Sequence, residues 1–347
     1  MKTGGNPYGT HRVISPKGIL PQPADKIDND MEIWDNEVLI DVKTLNIDSA
    51  SFTEICKRVL NKKPAEVTTK EEMEAIGNKM KEIVANAGKH KNPWTGSGGM
   101  LLGTVEEIGP KYVGDLKVGD KIATLVSLSL TPLRIDEIVE MRPAIDQVDI
   151  KGKAILFQSG IYGKIPADMP EKTALSALDV AGAPAQAAKL CQLNQKVLVI
   201  GGGGKSGLLC LYEAKKRVGP DGLVVCAGTK NSIKRAEALD LAHAYVEINA
   251  PDAVGMYEMA MEQTKGELFD VVINCVSVPN TEMASILACK DDGTVYFFSM
   301  ATSFTAAALG AEGVGKDVNM IIGNGYTKNH ADVTLQVLRE HEGLRKL

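Results

Sequence analysis

Residues 196–214 read KVLVIGGGGKSGLLCLYEA, a short apolar strand, a run of glycines and the start of a helix. Gly202, Gly204 and Gly207 satisfy G-x-G-x-x-G. In that pattern the first glycine permits a tight turn, the second lets the backbone approach a pyrophosphate, and the third lets helix and strand pack closely. Free N–H groups and the macrodipole favour an anion at the helix start, which makes Lys205 and Ser206 phosphate neighbours as well. The nucleotide-binding loop G-x-x-x-x-G-K-[ST] is not formed, because no glycine stands at the required spacing before Gly204. The glycines alone are a weak signal, and the regular strands and helices downstream of them give the pattern its force.

Outward from this loop, apolar strands alternate with helical segments. Strands are predicted at 197–200, 223–226, 244–248, 270–274 and 294–298, with a sixth near 318–322, and helices at 206–217, 232–242, 252–264 and 281–288. This alternation builds a doubly wound parallel α/β sheet of Rossmann type, a dinucleotide-binding fold. An acid about 20 residues beyond the glycines would bind the ribose 2′-hydroxyl of NAD. The corresponding CAGTKNSIKR, residues 226–235, contains none. Thr229, Lys230 and Asn231, with Lys234 or Arg235 one turn on, suit a 2′-phosphate and favour NADP. Cys275, Val276 and Ser277, and the run Phe298-Ser299-Met300-Ala301-Thr302, end later strands, where ligands of open α/β sheets lie; Ser299 is the second cofactor neighbour expected there.

The N-terminal half has a different grammar. EVLIDVK (37–43) alternates apolar and polar residues, and GTVEEIGPKYVGDLKVGDKIATLV (103–126) holds two strand-like runs separated by Gly, Pro and Asp turns. Between them KEEMEAIGNKMKEIVANA (70–87) places Met73, Ile76, Met80, Ile83 and Val84 at helical spacing, as a helical insertion whose methionines serve packing. The expected organisation is a mostly β domain over 1–165, the dinucleotide-binding domain over 166–324, and a C-terminal segment, 325–347, packing back on the first.

A chain of 347 residues with net charge −5 and 44% hydrophobic residues is a soluble globular composition, with no basic excess to hold nucleic acid. No run reaches the roughly 18 apolar residues of a membrane span, and the polar N-terminus has no signal-peptide core, which reads as cytoplasmic. The six cysteines show neither CxxC pairs nor zinc-finger spacing. They read as small buried hydrophobes, and no metal site is expected.

GTVEEIGPKYVGDLKVGDKIATL, EVLIDVKTLNIDSASF, the crossover SGIYGKIPADMPEKTALSALDVAGAPAQAA and the Rossmann unit together resemble the medium-chain dehydrogenase/reductase superfamily. The resemblance runs from about residue 30 to about residue 340. It implies a GroES-like β domain for the first half, a nicotinamide cofactor and a homodimer. Zinc-binding members carry a Cys after the first core strands, a Gly-His-Glu before the second pair and a four-cysteine lobe. This chain has Ile47-Asp48-Ser49, Gly99-Met100-Leu101 and no lobe, so the resemblance is to zinc-independent members. The segment GNPYGTHRVISPKGILPQPADKIDN (5–29), the helical insertion and the unusual glycine loop extend it to amino acid dehydrogenases of the superfamily. That implies oxidative deamination of a diamino acid, a lysine-degradation chemistry, with hydride passing to NAD(P), and on this resemblance NAD.

Without a Lewis acid, a side chain must take the substrate ammonium proton and activate the water that hydrolyses the imine. Asp48, at the family's metal-side position, and Asp179, in the crossover segment, are the candidate bases. Each has a structural explanation as well, as a helix cap or turn former. Arg12 or His11, with Tyr8, would meet the substrate carboxylate. Two other readings stand beside this one: a zinc-independent, NADPH-dependent enoyl or quinone reductase, and a dinucleotide-binding protein without catalysis.

Overall fold

The computed structural model describes residues 1–299, 301–323 and 325–346; Met300 lies outside them. The chain divides into two compact units, Met1–Glu171 and Lys172–Leu347.

In the first unit a ribbon of β1 (Val13–Ser15) and β2 (Lys26–Ile27) precedes β3 (Val38–Asn46), with α1 (Ser49–Leu60) and α2 (Lys70–Ala87) after it. Then come β4 (Met100–Ile108), β5 (Lys121–Thr124), β6 (Leu133–Arg142), β7 (Gln147–Leu156) and β8 (Tyr162–Lys164). The sheet is antiparallel in the order β6-β7-β3-β4-β5-β8. The helix predicted at 70–87 forms with those ends. Thr69 and Glu72 close a capping box at its start, and Gly88 ends it in the left-handed conformation. It is part of the core: Ile76, Met80 and Val84 pack with Val42, Leu45 and Ile150 of the sheet.

The second unit contains α3 (Glu171–Leu178), α4 (Gly182–Leu190), β9 (Lys196–Ile200), α5 (Lys205–Val218), β10 (Leu223–Gly228), α6 (Lys230–Glu237), β11 (Ala244–Glu247) and α7 (Ala253–Thr264). It continues through β12 (Phe269–Asn274), α8 (Glu282–Ala288), β13 (Cys289–Phe297), α9 (Phe304–Val314), β14 (Asn319–Ile322), α10 (His330–Glu340) and α11 (Glu342–Arg345). The strands run β11-β10-β9-β12-β13-β14, all parallel. This is the doubly wound order, with its reversal between β9 and β12. The α/β fold class read from the alternation is borne out.

Two boundaries differ from expectation. The units divide at Glu171 because that carboxylate reaches into the first unit, to Lys121 Nζ at 2.7 Å and to Lys43. The C-terminal segment falls in the second unit, where α10 lies against α4 and α5. The small residues of GAPAQAAKL let α10 come close enough for Thr334 Oγ1 to donate to the Ala181 carbonyl at 3.2 Å. Among the described residues no helix is long and apolar enough to cross a membrane.

Candidate active site

The carboxyl ends of β9 and β12 flank the point where strand order reverses. Gly201 makes the tight turn after β9 with φ +80°, a role the motif had assigned to Gly202. Gly202 instead makes room for Cys226 Sγ, which would lie 2.6 Å from an added Cβ. Gly204 caps α5, exposed, with no side-chain hydrogen bond to the first turn. The N–H groups of Lys205, Ser206 and Gly207 are thus the open donors expected at a helix start. A Cβ on Gly207 would lie 2.2 Å from the Gly201 carbonyl oxygen, so the third glycine is required for helix to meet strand. Gly207→Ala is expected to lower nicotinamide-dinucleotide affinity at least about tenfold, or the stability of the second unit by about 1–3 kcal/mol. Cofactor titration together with thermal unfolding checks this; no change in either contradicts it.

Beside the loop, Lys205 Nζ lies 3.3 Å from Asp179 Oδ2, just beyond the end of α3. This brings one candidate acid to the phosphate-binding end of the second unit. Thr229 caps α6, with Lys230 and Asn231 exposed in its first turn and Lys234 and Arg235 farther on. An acid missing from the sequence window does stand in register: Glu247, at the end of β11, pairs with Gly228 of β10. Sequence reading overlooked it because it arrives from the next strand.

After β12, Cys275 and Val276 are half-buried and Ser277 is exposed. The Val276 backbone N would lie 2.9 Å from a Cβ on Gly201, so the two strand tips are in contact. Asn274, fully buried, shapes this tip: its Nδ2 donates to Thr281 Oγ1 and Ser285 Oγ, both at 2.9 Å, and its Oδ1 accepts from Val276 N. A polar residue closing the apolar run VVIN was its sequence signal. Ser299 Oγ accepts from Ala301 N at 3.1 Å, so part of its hydrogen-bonding capacity serves the turn itself.

In the first unit Asp48 occupies the N-cap of α1, yet its carboxylate does not cap that helix. Its Oδ2 accepts from Gly98 N at 3.0 Å, which ties the helix start to the loop before β4. Ser51, fully buried, meets Thr95 Oγ1 at 2.6 Å and Ser97 Oγ at 2.5 Å, and Asn92 Nδ2 donates to the Ser51 carbonyl. Gly99 (φ +107°) can take no side chain, because a Cβ would lie 2.1 Å from the Asn46 carbonyl. His90 is fully buried next to Gly98, and burial pushes its imidazole down to about 4, so it is neutral at pH 7. The hydroxyl network converges from segments 44 and 46 residues apart, so no local motif announced it.

The N-terminal candidates for substrate binding are otherwise engaged. Arg12, expected to meet a carboxylate of substrate, is fully buried and grips Glu37 with Nε at 2.7 Å and Nη2 at 2.6 Å. It also donates to the carbonyls of Asp30 and Glu32. His11 Nε2 lies 2.8 Å from the same Glu37. These residues hold the N-terminal segment in place, while Tyr8 remains exposed. His243 is structural too: its Nδ1 accepts from Val224 N at 2.8 Å. Burial pushes the thiols of Cys191, Cys226 and Cys289 up to about 12, as expected of small core hydrophobes. Among the described residues no three His, Cys, Asp or Glu side chains gather as a metal-binding group.

A family model described as the L-erythro-3,5-diaminohexanoate dehydrogenase N-terminal domain matches residues 11–166. L-erythro-3,5-diaminohexanoate dehydrogenase from Acetoanaerobium sticklandii is 59% identical over 345 residues, spanning 98% of this chain and 97% of the relative. The chain belongs to the L-erythro-3,5-diaminohexanoate dehydrogenase family. The Fusobacterium nucleatum enzyme of that name is 58% identical over 352 residues, 100% of this chain and 98% of its own length. Escherichia coli quinone oxidoreductase complexed with NADPH superposes with a TM-score of 0.51 at 14% identity, over 88% of this chain and 78% of its own. At that identity the likeness shows the fold alone.

Proposed function

We propose that the chain catalyses oxidative deamination of L-erythro-3,5-diaminohexanoate to 5-amino-3-oxohexanoate and ammonium, with NAD(P) as oxidant. The observation that carries this reading is 59% identity across nearly the whole chain to an enzyme of that name. An enoyl or quinone reductase activity has only fold likeness behind it.

The open N–H groups at the start of α5 and the crowded Gly201–Gly207 crossing fit a dinucleotide pyrophosphate. The nicotinamide supplies the acceptor for the substrate's hydride. Everything else falls to side chains. Asp48, carried on the helix start and steadied by Gly98, takes the ammonium proton so that the amine lone pair can drive hydride loss, releases that proton to solvent, then takes a proton from the water that attacks the iminium and returns it to the departing amine. Carbon is oxidised by two electrons, and the nitrogen leaves as ammonium. Asp179 positions Lys205 beside the phosphates. The α6 start, free of acids, accepts a 2′-phosphate, and Glu247 at the end of β11 accepts a ribose hydroxyl, so both NADP and NAD serve. The unpaired edge of β14 supports a homodimer joined through this sheet.

Purified protein given 3,5-diaminohexanoate should release ammonium in step with reduced cofactor. No ammonium and no reduction with either cofactor would sink the proposal.

A further inference from the structure

The second unit contains a cavity of about 510 Å³ in which Lys205 of the phosphate loop meets residues to which the reaction assigns no role. Its floor is apolar, made by Leu208 and Leu209 of α5 and by Leu338 and Leu344 of α10 and α11. Among the described residues its walls carry five cations and no carboxylate: Lys172 of α3, Lys205 of α5, Arg235 of α6, and Arg345 and Lys346 near the C-terminus. Lys205 is paired with Asp179 and Lys346 with Glu342 at 2.6 Å. Among the described residues no ion pair satisfies Lys172, Arg235 or Arg345, and Arg345 Nε is buried with no hydrogen-bond partner. Four separate elements thus bring like charges together, an arrangement that self-repulsion opposes unless an anion joins it.

We propose that this cavity binds a small molecule bearing a phosphate group. Two guanidinium forks suit phosphate oxygens, and Thr173 and Ser176 on the same wall offer hydroxyl donors. The volume exceeds what one phosphate fills and lies in the range of small-molecule pockets, so the phosphate is an ester. Another cavity of the unit, about 410 Å³, lies at the opposite ends of the strands, where Asp270, Asp291 and Asp292 outnumber Lys189 and Lys290, so it has no such excess of cations. The ester has two possible sources, the 2′-phosphate of NADP(H) or a separate phosphorylated metabolite.

Calorimetric titration of the full chain with inorganic phosphate, at constant ionic strength set with chloride, tests the site. Binding is expected, weakened about tenfold by Arg345→Gln and by Lys172→Gln and largely restored in Arg345→Lys. Unchanged affinity for NADH in each variant shows that the dinucleotide fold is intact. If the source is NADP(H), phosphate competes with NADPH and Arg345→Gln weakens NADPH alone. If it is a separate metabolite, phosphate still binds with NADH or NADPH saturating. Absence of phosphate binding to the unaltered chain, or equal binding by both Gln variants, overturns the proposal. Because no turnover enters the measurement, its failure is distinct from failure of the assigned reaction.

Discussion

Asp48→Asn is expected to lower kcat by about 10²- to 10⁴-fold, the usual worth of a positioned general base. The substitution removes basicity and little else. Asparagine retains an oxygen to accept from Gly98 N–H, and no capping hydrogen bond is lost because the carboxylate makes none to the first turn, so α1 and the Thr95–Gly98 loop should stay in place. KM should change much less than kcat, and the acidic limb of the pH–rate profile, which reports the base losing its capacity to accept a proton, should disappear. Steady-state kinetics across pH decide the matter. Full activity would remove Asp48 as the base, and Asp179→Asn then becomes the test; full activity in both variants would remove both acids. Ser51→Ala, by contrast, should act through the loop that orients Asp48.

The second large effect concerns stability. Glu37→Gln leaves the Arg12 guanidinium charged in a site from which water is excluded, and should cost the first unit about 3–5 kcal/mol. Replacing both partners, with Arg12→Met and Glu37→Leu, should recover much of that loss, because breaking a buried pair costs more than removing it. Both tryptophans, Trp34 and Trp94, lie in the first unit, so their fluorescence during urea unfolding tracks this unit separately from the other. A midpoint unchanged by Glu37→Gln would contradict the argument. The pH dependence has a definite sign. Burial alone would raise the Glu37 carboxyl, but the hydrogen bonds from Arg12 and His11 and the charge of Arg12 outweigh it and hold it below its ordinary 4.5. The stabilisation is therefore fully present above that value and is lost as pH falls through the lower folded-state value.

Residues 196–322 were legible because each strand and helix there carries its own period and each junction a glycine, a cap or a turn residue. The expected strands and helices appeared within a few positions of their places, down to β14, but α9 (Phe304–Val314) was not expected. The first unit was harder to read. β6, LRIDEIVEMR, pairs with β7 through two register shifts, and a bulge breaks the alternation by which strands are recognised. Helix α1 starts three residues after β3 ends, inside a stretch that reads as loop. The site shows the same division. The phosphate loop is continuous in sequence and was found, except that the turn glycine is Gly201. The Arg12–Glu37 pair and the Ser51–Thr95–Ser97 network join segments far apart in the chain, which composition and spacing do not relate. That is why Arg12 invited a role at the substrate which its burial denies.

The bare start of α5 has one more consequence. With no side chain capping its first turn, the amides of Lys205 and Ser206 should give up their protons to solvent without any opening of the helix, unlike those buried deeper in the same element. A bound pyrophosphate would shelter both at once. Deuterium uptake at these positions is therefore a built-in clock for cofactor residence, readable in a protein whose tryptophans all lie in the other unit.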